Sequence, residues 1–382
     1  MRFPEREATE VFIERLKQKV QQYFPIYSWK LEDNLLIFSV SVDLPGLDRQ
    51  FSYLQKDLDR LGWTPMIREE NGEHLLVLTP KPSIPRPKPI WVNLLLLVAT
   101  VVTTSLVGSQ FWLWLVEGVT AEWGGFEGPP FGRIILEAFN LKKGILYYSL
   151  PLLSILGCHE LGHYFVSRRH KVPTTLPYFI PFPPIPKVLA LGTFGAVISI
   201  RGAIPDKRAL LDIGLAGPLV GFLVAIPVTL LGLHLALQLP TIEVSESELF
   251  LASPLIFIAL EAIIGAPSML PLHPTLFAGW LGLLITAINL LPAGQLDGGH
   301  IAYAFMGKKQ KYVAWAALFM MLALSIWFPT WIFFAIIIIL VGIRHPPPLN
   351  DVTPLDLRGK LLSLVAILIF LLSFVPIPIV PA

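Results

Sequence analysis

Apolar positions follow one pattern over residues 1 to 80 of the chain and a different pattern afterwards. In the first part, apolar and polar residues alternate with the short periods of amphipathic helices and half-buried strands, which is typical of a small soluble domain. From residue 90 to residue 382, several apolar runs approach the roughly 20 residues that a helix needs to cross a bilayer. The pattern therefore predicts a soluble N-terminal domain followed by a polytopic α-helical membrane domain.

The predicted N-terminal domain changes twice from helical to strand periodicity. Residues 5 to 23 carry apolar side chains along one side of a helix, and residues 26 to 31 and 35 to 42 follow as two strands. Apolar spacing from Leu47 to Leu61 predicts a second helix, and a hairpin that turns at Asn71-Gly72 closes the domain. The resulting α+β order, αββαββ, contains no catalytic cluster, so we interpret the domain as a module that binds an unknown regulator.

A proline-rich basic segment, residues 81 to 89, separates this domain from the apolar region. Such a segment is a stiff linker, which we expect to hold the N-terminal domain off the membrane. Its positive charges beside the first apolar run predict a cytoplasmic N-terminal domain, which would be stromal in a plastid. Seven apolar runs follow as predicted spans: residues 90–116, 144–167, 209–238, 272–293, 312–328, 330–343 and 360–380.

Charges between the predicted spans indicate their orientation. Lysine and arginine residues cluster between the second and third, the fourth and fifth, and the sixth and seventh spans, which places those loops on the cytoplasmic side. Basic loops on one side of the membrane and acidic loops on the other alternate along the chain only if residues 249–266, although apolar, do not cross. We therefore expect a re-entrant or surface-lying segment there. Acidic residues mark the opposite loops: Glu117, Glu122, Glu127, Glu137, Glu243, Glu246 and Glu248.

The amino-acid composition is typical of a membrane protein and gives no sign of a nucleic-acid partner. The chain is 54% hydrophobic and 15% charged, which excludes a large soluble core. Its formal net charge is +2 and it contains no long basic block, so no nucleic-acid partner is predicted. The lipid bilayer is the expected environment.

The second predicted span contains a pattern that carries chemistry. His159 and His163 stand at positions i and i+4 of a helix, so both imidazoles leave one face and can bind a single cation. Glu160 projects beside that pair, where it suits a general base that activates water at a metal. Residues 144 to 166 are otherwise almost uncharged, and an ionisable group in such a span is costly enough to indicate function.

A catalytic zinc site uses three protein ligands and leaves one position open, so a third ligand is needed. Asp297, like His163, precedes basic residues that mark the cytoplasmic end of its predicted span. The two side chains should therefore lie at similar depth, which favours Asp297 as the third ligand. Two alternatives stay open: Asp297 caps the short segment that begins at Gly298, or His300 is the ligand or lies behind the ligands.

Two motifs together resemble a known family. The sequence HELGH at residues 159–163, followed by NLLPAGQLDGG at residues 289–299, resembles the site-2 protease family of intramembrane zinc metalloproteases. The resemblance covers about residues 144–312. Three further stretches belong to it, the last of which is most similar to the cyanobacterial and plastid branch: GTFGAVI at 192–198, AGPLVG at 216–221 and YFIP at 178–181.

The resemblance implies regulated intramembrane proteolysis, in which a transmembrane segment of a single-span membrane protein is cleaved after an earlier cut. It implies one zinc ion per chain, bound by His159, His163 and Asp297. Glu160 would be the general base, and Asn289 would contact the substrate backbone. The chain departs from better-known relatives because it has no recognisable PDZ or CBS segment and carries the αββαββ domain instead.

Residues 192–201 offer a way to present a substrate. They are β-branched and contain glycine, and they are too short to cross the membrane. A helical substrate must become extended before attack, because its peptide groups are otherwise engaged and freed groups are costly in a water-poor site. We therefore expect Gly195, Ala196 and Val197 to bind the unwound substrate as an added strand. The alternative is a loop that only packs against the helices.

The sequence is thus interpreted as a membrane zinc metalloendopeptidase, with residues 1–80 as the soluble domain and residues 90–382 as the membrane domain. A catalytically inactive membrane binding protein is one alternative, and the intact Glu160 argues against it. A metal transporter is the other alternative. Its ionisable residues would line a path across the bilayer, whereas the ones found here cluster towards one face.

Overall fold

The structure is a computed structural model that describes residues 6–33, 35–83, 88–115, 138–184, 191–240, 249–267 and 270–381. Within these residues the chain is mostly helical, with a small antiparallel sheet near the N-terminus. The predicted sheet domain is confirmed, whereas the number of membrane crossings stays a prediction. The acidic residues that were used for orientation, Glu117 to Glu137 and Glu243 to Glu248, lie outside the described residues.

The N-terminal domain has the predicted element order, with antiparallel strands arranged β1-β2-β4-β3. Apolar residues at alternate positions of β2, such as Leu36 and Phe38, are fully buried against α1 and α2. Asn71 and Gly72 have φ angles of 52° and 83°, the left-handed values that a two-residue hairpin turn requires. The elements are α1 (Arg6–Gln21), β1 (Ile26–Glu32), β2 (Leu35–Val40), α2 (Leu47–Arg60), β3 (Trp63–Glu70) and β4 (Glu73–Pro80).

The remaining part is helical, with two short two-stranded antiparallel sheets. A π-helical turn, Ile145–Ser149, joins α4 to α5. The elements are α3 (Ile90–Leu115), α4 (Ala138–Gly144), α5 (Leu150–Arg169), β5 (Tyr178–Pro181), β6 (Thr193–Val197), α6 (Lys207–Ala236), β7 (Leu249–Leu251), α7 (Leu255–Ile264), α8 (Pro274–Asn289), α9 (Asp297–Met306), α10 (Gln310–Leu324), α11 (Thr330–Val341), α12 (Leu357–Ser373) and β8 (Ile379–Pro381).

Two of the described helices, Ile90–Leu113 and Lys207–Ala236, are long and apolar enough to cross a membrane by length and composition. Other apolar helices, α7, α8 and α11, are shorter, because turns containing proline or glycine interrupt the apolar runs. With 10 residues, α7 is shorter than a crossing requires. Whether residues 249–266 cross the membrane stays a prediction.

Helix α6 lies at the centre of the helical part and packs against α5, α8, α9 and α12. Small residues allow this close packing. A Cβ atom at Gly232 would lie 2.5 Å from Leu276 Cα, and one at Gly279 would lie 2.5 Å from Thr229 Oγ1. Because α5 and α9 carry the predicted metal ligands, α6 is the element against which the site is assembled.

The N-terminal domain packs against the helical part. Leu349, from the segment between α11 and α12, is 5% exposed and belongs to the hydrophobic core of the N-terminal domain. The outer edge of β3 pairs with residues around Asn350, so the domain is docked on the helical part. The expectation that the linker holds this domain off the membrane stays a prediction.

Candidate metal centre

Helix α5 presents His159, Glu160 and His163 at a buried position. The three residues are 4%, 7% and 5% exposed, respectively. Pro151 stands in the first turn of α5, where a backbone N–H has no acceptor within the helix, so the N–H that proline lacks is not missed. Basic residues in the last turn interact favourably with the negative end of the helix dipole. The i, i+4 spacing then brings the two imidazole rings to a centroid separation of 4.9 Å.

Three ligand atoms converge at this position. His159 Nε2 and His163 Nε2 are 3.1 Å apart, and each lies 3.2 Å from Asp297 Oδ2. Tetrahedral zinc with bonds of 2.0 to 2.1 Å separates its ligand atoms by about 3.3 Å, so the triangle has the size that the ion requires. Among the described residues, these three form the one group of histidine, cysteine or acidic side chains that could hold a metal ion.

The tautomer of His163 suits a ligand. Its Nδ1 lies 2.7 Å from the Ile213 carbonyl oxygen on α6. A carbonyl oxygen can only accept, so Nδ1–H donates and the lone pair of Nε2 faces the other two ligand atoms. The hydrogen bond also fixes the orientation of the ring.

Glu160 lies at the side of the triangle and is not one of its corners. Its Oε1 atom is 3.9 Å from His159 Nε2, and its carboxylate accepts a hydrogen bond from the backbone N–H of Ile198, just after β6. The structure therefore places this carboxylate between the candidate metal position and the extended segment that was predicted to bind substrate.

Asp297 reaches the site because the chain before α9 is irregular and tightly packed. A Cβ atom at Gly298 would lie 2.0 Å from the Leu290 carbonyl oxygen, and one at Gly299 would lie 2.3 Å from the Gly294 carbonyl oxygen. Only glycine fits at these approaches. The N-cap residue of α9 is Leu296, with no side-chain cap hydrogen bond, so the alternative in which Asp297 serves as a cap is not what the structure has.

His300 is turned away from the ligand triangle. Its Nδ1–H donates to the Leu296 carbonyl oxygen at 3.0 Å, and its ring packs edge-on against His345 with centroids 4.5 Å apart. Within the described part of the chain, His300 is not in the ligand group. It lies one helical turn beyond Asp297, so the geometry favours Asp297 over His300 as the third ligand.

A pair of glycines on α6 makes room for the histidines. A Cβ atom at Gly217 would lie 2.0 Å from His163 Nε2, and one at Gly221 would lie 3.1 Å from His159 Nδ1. The two glycines stand at i and i+4, so they match the i, i+4 spacing of the histidines on α5. Sequence reasoning did not assign them a role, although the AGPLVG stretch contains the small-xxx-small spacing that indicates close helix packing.

The residues predicted to bind substrate lie on two sides of the site. Asn289, the last residue of α8, has its side-chain nitrogen 3.5 Å from His159 Nε2. Strand β6 contains Gly195, Ala196 and Val197 and pairs with β5, with Ala196 opposite Phe179 and Val197 opposite Tyr178. The sheet has two strands, so within the described residues the other edge of β6 carries no strand. Their contact with substrate stays a prediction.

Comparison with known proteins identifies the region that contains the site. The model of peptidase family M50 matches residues 147–327. This match confirms the predicted resemblance to site-2 proteases.

Named relatives agree with the branch that was predicted. The chain is 32% identical over 243 residues to the probable zinc metalloprotease EGY1, chloroplastic, of Arabidopsis thaliana, with 60% of this chain and 43% of that protein covered. It is 31% identical over 262 residues to EGY2 of the same plant, covering 65% and 46%. EGY3 of Oryza sativa subsp. indica is 28% identical over 208 residues, covering 47% and 34%. The chain spans less than half the length of these relatives.

Proposed function

We propose, because residues 147–327 match the model of peptidase family M50, that this chain is a membrane zinc metalloprotease that cleaves transmembrane segments of membrane proteins. The observation that carries the proposal is the convergence of His159 Nε2, His163 Nε2 and Asp297 Oδ2 within 3.2 Å of one another. Two nitrogens and one carboxylate oxygen are the donor set of many catalytic zinc sites.

The three side chains fit a zinc ion with an open coordination position. Such an ion, when bound, supplies Lewis-acid activation of water and of the scissile carbonyl near neutral pH. The protein residues then have separate tasks. His163 is held by Ile213, and Asp297 is aimed by the irregular chain before α9 and by the close approaches of Gly298 and Gly299 to it. The ligands are therefore oriented by the fold before a metal binds.

Glu160 is proposed as the general base. Its carboxylate is 3.9 Å from His159 Nε2 and is held by the Ile198 N–H, so it lies within reach of a water that attacks a peptide carbonyl at this position. The same carboxylate can return the proton to the leaving amine. This accounts for a buried acidic residue in an apolar helix.

Substrate is proposed to bind as a strand along β6. Phe194 and Val197 are 63% and 49% exposed, and β6 ends one residue before Ile198, whose N–H contacts Glu160. A substrate segment unwound along this edge would pair its freed backbone groups with the strand. Its scissile bond would then lie beside Glu160, and Asn289 would hold its backbone from the other side.

The protein is proposed to cross the membrane several times, with the catalytic site near the face that carries the N-terminal domain. Support comes from the two long apolar helices, from the shorter apolar helices packed on them and from the bias of lysine and arginine between the predicted spans. The relatives are named chloroplastic, which supports a plastid membrane with a stromal N-terminal domain. Single-span membrane proteins are the proposed substrates.

Glu160→Gln tests the proposal. The amide keeps the size of the side chain but cannot accept the proton, so the variant should retain zinc and lose cleavage of single-span reporter proteins. The measurement is metal content of detergent-purified protein together with reporter cleavage in proteoliposomes. Wild-type protein that binds zinc without cleaving any reporter would favour the inactive binding protein. Zinc flux across the same vesicles would favour a transporter.

A further inference from the structure

A four-residue segment between α11 and α12, residues 348–351, lies between the N-terminal sheet and the helical part. We call it the linking segment. On one side, the Ile67 N–H donates to the Leu349 carbonyl at 2.9 Å, and the Asp351 N–H donates to the Ile67 carbonyl at 3.2 Å. On the other side, the Leu349 and Asn350 N–H groups donate to the carbonyls of Ile204 and Pro205 at 2.9 and 2.8 Å. The segment therefore joins the outer edge of β3 to the chain that enters α6.

Side chains of the linking segment are buried as in a domain core. Leu349 is 5% exposed within the N-terminal core, and Asn350 is 1% exposed. The Asn350 amide donates to Asp48 Oδ1 at 2.7 Å. Arg68 Nη1 donates to the carbonyls of Pro348 and Leu349 at 2.6 and 3.0 Å. Burial lowers the pKa of the Arg68 guanidinium, and the nearby Asp351 carboxylate opposes that shift.

The carboxylate of Asp351 connects this segment to both helices that complete the metal site. Its Oδ2 atom accepts a hydrogen bond of 3.0 Å from the Tyr303 hydroxyl on α9, the helix whose first residue is Asp297. Its Oδ1 atom lies 3.5 Å from the ammonium nitrogen of Lys207, the first residue of α6. A further bond, from Lys308 Nζ to the Glu69 carbonyl at 3.0 Å, ties the end of α9 to β3.

Helix α9 depends on such contacts for its orientation. It has 10 residues, it follows the irregular chain between Leu290 and Leu296, and a 3-10 turn, Gly307–Lys309, follows it. A short helix between two irregular segments is not oriented by a continuous backbone hydrogen-bond pattern. Its direction, and with it the position of the Asp297 carboxylate, is set by its packing against α6, by the close approaches of Gly298 and Gly299, and by the side chains that hold it.

We infer that Asp351 is a positioning residue, through which the docked N-terminal domain holds α9 and α6 in the geometry that places Asp297 against His159 and His163. The inference rests on the proposed function, because it assigns a role in that same site. Under this inference the αββαββ domain is a structural part of the catalytic assembly, and loosening its contact with the linking segment loosens the third metal ligand.

The test uses the full-length chain in detergent and in proteoliposomes. Tyr303→Phe removes the hydroxyl that binds Asp351 and keeps the buried ring, and Asp351→Ala removes the acceptor. Tyr312→Phe on α10, where the tyrosine is 65% exposed, is the matched control. Release of zinc to a chromogenic chelator, kcat and KM for a single-span reporter, and hydrogen exchange of α9 are measured for each variant.

Tyr303→Phe and Asp351→Ala should release zinc about tenfold faster and lower kcat about tenfold, with KM within about twofold, since one hydrogen bond to a charged group is lost. Asp351→Asn still accepts from Tyr303 and should lie between them and wild type. Arg68→Ala, which removes the hydrogen bonds of Arg68 to the Pro348 and Leu349 carbonyls, should release zinc about threefold faster. A contact that only stabilises the fold would lower Tm and leave zinc release unchanged.

Zinc release and kcat equal to those of Tyr312→Phe in both the Tyr303 and the Asp351 variants would overturn the inference. Wild-type zinc release in Arg68→Ala would overturn the role that the inference assigns to the N-terminal domain. If wild-type protein itself holds no zinc and cleaves no reporter, the proposed function fails. The positioning of α9 is then judged by hydrogen exchange alone: faster exchange in Asp351→Asn and Asp351→Ala supports it, and unchanged exchange overturns it.

Discussion

Gly217→Ala should disrupt the metal site although Gly217 is not one of the predicted ligands. The added Cβ atom would lie 2.0 Å from His163 Nε2, whereas Cβ contacts under 3.0 Å are essentially never seen. The His163 ring and α6 must therefore move apart by about 1 Å or more. A metal site tolerates a change of only about 0.2 Å in its metal-ligand distances. We expect zinc affinity to fall about 100-fold or more, and cleavage to fall with it.

Alanine variants of two other glycines serve as controls for this experiment. Gly157 also lies on α5, but its nearest contact would be Phe179 Cζ at an ordinary 3.5 Å, so Gly157→Ala should bind zinc like wild type. Gly221→Ala, at 3.1 Å from His159 Nδ1, should be weakened less than Gly217→Ala. Affinity is measured by titration in zinc buffers, and near-UV circular dichroism checks the fold. A folded Gly217→Ala protein with wild-type zinc affinity would refute the reasoning.

Three further predictions address the ligands, the substrate strand and the topology. Asp297→Ala should lose most of its zinc and His300→Ala should keep most of it; metal analysis with the reverse order would make His300 the ligand. Val197→Pro, which removes a backbone donor, should keep zinc and expression but lose most cleavage, and unchanged cleavage by the folded variant would favour a loop that only packs. Cysteine labels at residues 170 and 309 should react from the same side of the membrane as the N-terminal domain, and labelling from opposite sides would contradict a shared site.

Much of the N-terminal domain could be predicted because its signals are local. Alternation in β2 and the Asn71-Gly72 turn both depend on neighbours in sequence, and the structure has both elements. The three proposed metal ligands were predicted by two different arguments. His159 and His163 follow from helical spacing, whereas Asp297 required an argument about depth in the membrane, which the distances of 3.2 Å now support.

Helix lengths in the membrane part were predicted less well. Apolar runs indicated spans, but a hydropathy pattern does not show where a run is interrupted by packing. Residues 272–293 were predicted as one span, and the structure ends α8 at Asn289 before an irregular turn. This irregular turn leads directly into α9, which begins at Asp297. The glycines that make it possible, Gly298 and Gly299, were noticed as helix breakers, but their contacts with the carbonyls of Leu290 and Gly294 depend on the fold.

The linking segment shows which kind of contact a sequence pattern leaves unseen. Nothing in the local sequence associates Leu349 with a domain that ends near residue 80, because the pairing spans about 280 positions and uses backbone groups that every residue carries. The proline-rich linker suggested two separate units. The free edge of β3 required a partner, and a segment that also binds the start of α6 satisfies it. The same backbone bonds therefore stabilise the small domain and connect it to the helices that hold Asp297, so the two parts of the chain should lose stability together when either contact is broken.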